Sequence, residues 1–249
     1  MRPEPFQALH AGGFRASSAP PRKPRLLIAG ATGALGGEVL RQLVGGQRFG
    51  PAQVLVREPV TPGMRGVTGL LVPSDSPAQW PLAAADTGIV LFDPPRLYHD
   101  RERALWTPRP AQWAEVAGWM RRSGVGTLAV VLPHAQGRLP EALKRGLASL
   151  DEQAVAALGF DRLLFIRSAE KPGPEPVRGW LPRTAHWMLS VLRFMIPSNE
   201  QPVRAAKVAE LVALALRLAP PGIHVAAPEL VWRAAQGDLD GVVAGWVGR

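Results

Sequence analysis

Arg25-Leu26-Leu27-Ile28-Ala29-Gly30-Ala31-Thr32-Gly33-Ala34-Leu35-Gly36-Gly37 is the stretch that decides the fold. Its first five residues form a short apolar run ending in glycine, as a buried strand does. Apolar residues then recur at helical spacing, at Leu35, Val39, Leu40 and Leu43, until Gly45-Gly46 closes the helix. A glycine-rich turn between a first strand and a first helix is the context that a dinucleotide fingerprint requires. Each glycine has a task there: Gly30 permits a tight turn, Gly33 lets backbone approach a pyrophosphate, and Gly36 lets the helix pack close to the sheet. The helix start then offers unpaired N–H groups and a positive dipole end to phosphates. Gly30, Thr32, Gly33, Ala34, Leu35 and Gly36 are therefore the expected cofactor-binding residues. The spacing is G-x-x-G-x-x-G, not the plain G-x-G-x-x-G, and a strand–helix turn without a ligand would read the same way.

Outward from this turn, strand and helix signals alternate. Further strands are expected at Gln53–Val56, Gly69–Val72, Ile89–Phe92, Leu128–Leu132 and Leu163–Ile166. Helices are expected at Pro110–Arg122, Glu141–Leu158 and Val203–Leu218, with an edge strand at Ile223–Val225. The strands are unbroken apolar runs, as strands buried on both faces are. The pattern predicts an α/β protein: a Rossmann-like doubly wound parallel sheet with helices on both faces. We expect one such domain over 25–249, with residues 1–24 a mobile N-terminal extension and 169–249 contributing the substrate region.

Composition narrows the function classes. The chain has 249 residues, 47% of them hydrophobic, enough for a sizeable core. With no cysteine there is no disulfide framework, thiolate metal site or cysteine nucleophile. No apolar run approaches the ~20 residues that span a bilayer, so no membrane role is expected. Lys and Arg total 29 against 20 Asp and Glu, a formal charge of +9, but the positive residues are dispersed. Nucleic-acid binding, which uses a basic stripe or patch, is not expected. We expect a cytoplasmic protein.

The end of the second strand selects the cofactor. An acidic residue there bonds the ribose 2′-hydroxyl of NAD, and an arginine accepts the 2′-phosphate of NADP. Arg57 stands there, about 20 residues after the last glycines, and its guanidinium suits a phosphate. The sequence thus favours NADP over NAD, although Arg57 could instead pair with its neighbour Glu58. Asp93, beyond the fourth strand, joins the expected cofactor residues because ligands bind at the carboxyl edge of open α/β sheets.

Leu27-Ile28-Ala29-Gly30-Ala31-Thr32-Gly33-Ala34-Leu35-Gly36 resembles the opening of the atypical short-chain dehydrogenases, particularly the NmrA-like and Tat-interacting-protein-like oxidoreductases. Val54-Leu55-Val56-Arg57 with Pro59 resembles their second strand. Glu152 with Leu158-Gly159-Phe160 and then Leu164-Phe165-Ile166-Arg167 resembles the stretch leading into their sixth strand, and Val203–Leu216 their C-terminal helix. The resemblance spans about residues 25–230 and implies NAD(P) binding and oxidoreductase chemistry. The chain departs from it at the catalytic pair. Classical members use Tyr-x-x-x-Lys helped by a serine after the fifth strand. Here the corresponding positions are Lys144 and Ala148, with Leu132-Pro133-His134 in place of the serine. Arg167-Ser168 stands where the family has Arg-Pro.

Two residues are candidates for the missing proton donor. Tyr98 is the only tyrosine, and it has Glu102 rather than lysine four residues on. His134 follows the fifth strand. Their structural alternatives are an ordinary loop tyrosine and an ordinary loop histidine. The five histidines show no H-x-x-x-H spacing, so no metal site is expected. Trp180, Trp187, Met188, Leu189, Leu192 and Met195 form an apolar stretch that packs a core, meets a second subunit or walls a substrate pocket. These readings leave an NADPH-dependent oxidoreductase on a small carbonyl or alkene, and a catalytically silent dinucleotide sensor or partner-binding protein; a basic nucleic-acid-binding protein that keeps only the fold is the third alternative.

Overall fold

The computed structural model describes residues 22–60, 63–96, 99–132, 147, 149–167 and 204–248. Seven parallel strands form one sheet in the order β3-β2-β1-β4-β5-β6-β7. They are β1 (Leu26–Ala29), β2 (Ala52–Val56), β3 (Val67–Leu71), β4 (Thr87–Val90), β5 (Thr127–Leu132), β6 (Arg162–Arg167) and β7 (Gly222–Ala226). The helices are α1 (Gly33–Gly45), α2 (Asp100–Arg103), α3 (Trp113–Arg122), α4 (Leu150–Ala156), α5 (Ala205–Leu218), α6 (Pro228–Ala235) and α7 (Leu239–Val247). This is the doubly wound α/β architecture the strand–helix alternation predicts, and Ile223–Val225 lies in an edge strand as expected.

All four residues of β1 are fully buried. Because successive side chains of a strand point to opposite faces, Leu26 and Ile28 enter one core and Leu27 and Ala29 the other. The first core is aliphatic. It joins Val39 and Leu43 of α1 to Val208, Leu211, Val212 and Ala215 of α5, with α6 and α7 outside them. The second is aromatic, with Trp80, Trp106, Trp113, Trp119 and Phe165 under α3. Its tryptophans meet edge-on: Trp80 lies 4.7 Å from Trp106 and 5.1 Å from Trp119, centroid to centroid. Their indole N–H groups bond Ser74 O, Asp75 Oδ1 and Pro81 O, so these large side chains are buried without orphaned donors.

The structure departs from the expected elements in detail. Of the helix expected over Glu141–Leu158, residues 141–146 and 148 lie outside the described residues; Leu147 is not helical, and α4 starts at Leu150, where Ser149 Oγ accepts the Glu152 N–H. The third strand begins two residues earlier than the apolar run suggests, because it follows the register of β2, Ala52 opposite Val67. The two last helices, α6 and α7, carry no expectation from the sequence; Pro228 and Asp238 start them. Residues 1–21 and 168–203, including the Trp180–Met195 stretch, lie outside the described residues. Among the described residues no helix is long and apolar enough to cross a membrane.

Candidate functional site

The strand order reverses between β1 and β4: the chain runs outward from β1 to β2 and β3, then crosses back to β4 on the other side. Ligands of open α/β sheets bind outside the carboxyl ends of the strands at such a switch point. The glycine turn leaves β1 there, and Asp93 follows β4 beside it.

The turn has the conformation its glycines permit. Gly30 has φ +82° and Gly33 φ +70°, the left-handed region that side chains disfavour. A Cβ on Gly30 would lie 2.0 Å from the Leu91 carbonyl oxygen. One on Gly36 would lie 2.5 Å from the Gly30 carbonyl oxygen, so the helix packs as closely as the sequence predicts. Gly33 differs from expectation in what it faces. A Cβ there would meet the Cβ of Asp93 at 2.7 Å and the Pro94 carbonyl oxygen at 2.9 Å, which are groups of the protein itself.

Two carboxylates hold the N–H groups of the helix start. Gly33 N–H donates to Glu102 Oε2 at 3.0 Å, and Leu35 N–H to Asp93 Oδ2 at 3.0 Å. Thr32, at the N-cap position, does not cap its own helix; its hydroxyl donates to the Asp93 carbonyl and meets the Thr107 hydroxyl at 3.0 Å. Glu102 is buried, and its carboxylate also accepts the Arg96 N–H at 2.9 Å and the Arg96 guanidinium, Nε at 2.7 Å. Burial pushes the Glu102 carboxyl up, but Arg96 and the N–H groups of Arg96 and Gly33 outweigh it and hold the group below the ordinary carboxylate range.

The residues after α2 cross the gap between the ends of β1 and β2. Arg57 N–H donates to Ala104 O at 2.7 Å, Trp106 N–H to Leu55 O at 2.9 Å, and Gly30 N–H to Trp106 O at 3.1 Å. Leu105 forms an antiparallel bridge with Val56. Ala104–Thr107 is thus a short strap that bridges the carboxyl ends of β1 and β2.

Arg57 does not pair with Glu58. Its guanidinium meets Asp75 at 3.4 Å, and Arg109 approaches the other oxygen of the same carboxylate at 3.8 Å. Both arginines are at least half-exposed. Glu152 and Arg167, which the resemblance places near the sixth strand, form a buried pair at the carboxyl end of β6, with oxygens 2.9 and 3.2 Å from Arg167 Nη2. Tyr98, His134, Lys144 and Ala148 lie outside the described residues. Sequence reading missed Glu102, Arg96, Trp106, Asp75 and Arg109. Glu102 sits in the alternating run Asp100-Arg101-Glu102-Arg103, which looks like a solvated stretch, and only the fold shows that one of its charges points inward. A groove of about 290 Å³ between α1, α5 and α7, lined in part by Gln42, Arg48 and Arg217, shares no residue with the turn.

No family model matches the chain, and no curated protein does. Solved structures similar to it include MoeE5 in complex with UDP-glucuronic acid and NAD, 15% identical with a TM-score of 0.45 over 87% of this chain and 82% of that one. The enzyme WbmH of Bordetella bronchiseptica, in complex with NAD+, is 13% identical with a TM-score of 0.45 over 88% and 82%. UDP-N-acetylglucosamine 4-epimerase of Bacillus cereus is 12% identical with a TM-score of 0.44 over 85% and 82%. The fold is read from the chain's own sheet order: a Rossmann-like α/β protein.

Proposed function

We propose that the chain binds a dinucleotide at the Gly30–Gly36 turn, with NADP preferred to NAD. The observation that carries this reading is the turn itself: left-handed Gly30 and Gly33 and a sterically obligatory Gly36, at the switch point of a parallel sheet. The N–H groups of Gly33 and Leu35 are the donors a pyrophosphate would take, and the carboxylates now on them would have to yield to it. The preference for NADP is supported by Arg57 and Arg109 converging on one carboxylate, which leaves one positive charge in excess for a 2′-phosphate. Bound, the cofactor would supply hydride chemistry.

The absent Tyr-x-x-x-Lys pair leaves two uses for the cofactor: reduction of a small carbonyl or alkene with another proton donor, residues 169–249 contributing the substrate region, or sensing without turnover. The carboxylates on the turn favour sensing, since a ligand that must displace part of the protein changes the protein's shape. Calorimetric titration with NADPH and NADH tests the proposal. Binding of NADPH in preference to NADH, weakened in Arg57→Glu for NADPH more than for NADH, is the expected result; no binding of either cofactor would refute it.

A further inference from the structure

We propose that Glu102 and the Ala104–Thr107 strap are internal occupants of the dinucleotide site, and that a dinucleotide binds by exchanging with them. The inference rests on the dinucleotide-binding reading above and states how that site is controlled.

An anion is expected at the N-terminus of α1, and the protein supplies its own. Two of the first three N–H groups of the helix, Gly33 and Leu35, are bonded to side-chain carboxylates from outside the helix. These donors face the positive end of the helix dipole, where phosphate binds in dinucleotide sites. A carboxylate and a phosphate oxygen cannot both take the Gly33 N–H in the same direction. The second half of the site is filled as well. The strap satisfies Gly30 N–H and Arg57 N–H with its carbonyls and Leu55 O with the Trp106 N–H, so the ends of β1 and β2 are bridged by backbone. A ribose seated between the turn and Arg57 overlaps that bridge. Asp75, which gathers Arg57 and Arg109, also accepts the Trp106 indole N–H at 3.4 Å, and so ties the 2′-phosphate arginines to the strap.

The exchange is chemically balanced. Glu102 leaves the Gly33 N–H but keeps Arg96, whose side chain is already half-exposed, and Asp93 leaves the Leu35 N–H. The donors released at Gly30 and Gly33 are those a diphosphate takes up, a ribose hydroxyl can donate to the Leu55 carbonyl that Trp106 gives up, and the Arg57 N–H opens to water. Affinity in such a case is reduced by the fraction of molecules in which the occupant has withdrawn, so weakening the occupant must strengthen binding.

The experiment compares wild type with Glu102→Gln in NADPH titrations, and follows amide hydrogen exchange in wild type with and without NADPH. The expected results are roughly tenfold tighter NADPH binding by Glu102→Gln, together with faster exchange of the Trp106 and Arg57 amides and slower exchange at Gly33 when NADPH binds wild type. NADPH binding with Trp106 and Arg57 exchange unchanged, and Glu102→Gln no tighter than wild type, overturns the exchange while dinucleotide binding stands. No binding of NADPH or NADH by either protein overturns dinucleotide binding and the exchange with it. Should Glu102→Gln misfold, the wild-type exchange pattern alone decides.

Discussion

Two glutamate–arginine pairs stand at the carboxyl edge of the same sheet, and they differ in the surroundings of the arginine. Glu152 and Arg167 are both about 95% buried, with side-chain exposures of 5% and 6%. Glu102 is nearly as buried, but Arg96 keeps half of its surface in water. Moving apart a pair that is buried on both sides strands two charges in the interior, which is strongly unfavourable. Moving Glu102 with an arginine that already faces solvent requires far less desolvation. The first pair fixes one geometry for α4 and β6; the second fastens the glycine turn through a carboxylate whose arginine already faces water.

The largest expected effect is at the locked pair. Glu152→Leu strips Arg167 of its carboxylate and should lower stability by ~3 kcal/mol or more, read as a shift of the urea midpoint. A loss under ~1 kcal/mol, the range of an exposed pair, would mean that the two pairs do not differ in kind. Gly30→Ala comes next. It forces a side chain into φ +82° against the Leu91 carbonyl, and should cost at least ~2 kcal/mol from the left-handed conformation and the overlap. Stability equal to wild type would show that the turn adapts freely, and the contrast between a rigid turn and an exchangeable fastener would fall.

Glu102→Gln should be milder, about 1 kcal/mol, as the neutral amide still offers an oxygen to Gly33 N–H. Its pH dependence has a definite sign. The folded carboxyl titrates below the ordinary range, so the stability it contributes is present above the unfolded pKa and is lost as pH falls through the folded one. The groups facing it are the Arg96 guanidinium and the N–H groups of Arg96 and Gly33. The gap between wild type and Glu102→Gln should therefore close on acidification below the carboxylate range, and denaturant titrations at a series of pH values check this. Arg57→Glu should have the smallest effect on stability, within about 0.5 kcal/mol, because the residue is half-exposed and its partner Asp75 keeps Arg109.

The sheet was legible because its strands are unbroken apolar runs and because the glycine turn marks where the first one ends. Leu26-Leu27-Ile28-Ala29 can only be a strand buried on both faces, and Gly36 can only be a glycine against the Gly30 carbonyl. The contents of the site were less legible. Asp93 stands out by its place after the fourth strand, but its bond to Leu35 N–H depends on how far the β4 end reaches over α1. Glu102 and Trp106 arrive by a contact across about seventy residues of chain, and no local period encodes such a contact. Arg57 follows from its distance to the glycines, whereas Arg109 and Asp75 come from two other loops and have no spacing to reveal them.

The tryptophan trio turns this arrangement into an optical one. Trp106 belongs to the strap, Trp119 to α3, and Trp80 stands edge-on to both, with interplanar angles of 82°. Indoles fixed this closely in a packed interior contribute to near-ultraviolet circular dichroism, a signal that is lost when the packing is lost. The strap cannot move without carrying one member of that set away from the other two. A displacement of the strap would therefore be readable in the protein's own tryptophans, with no added label.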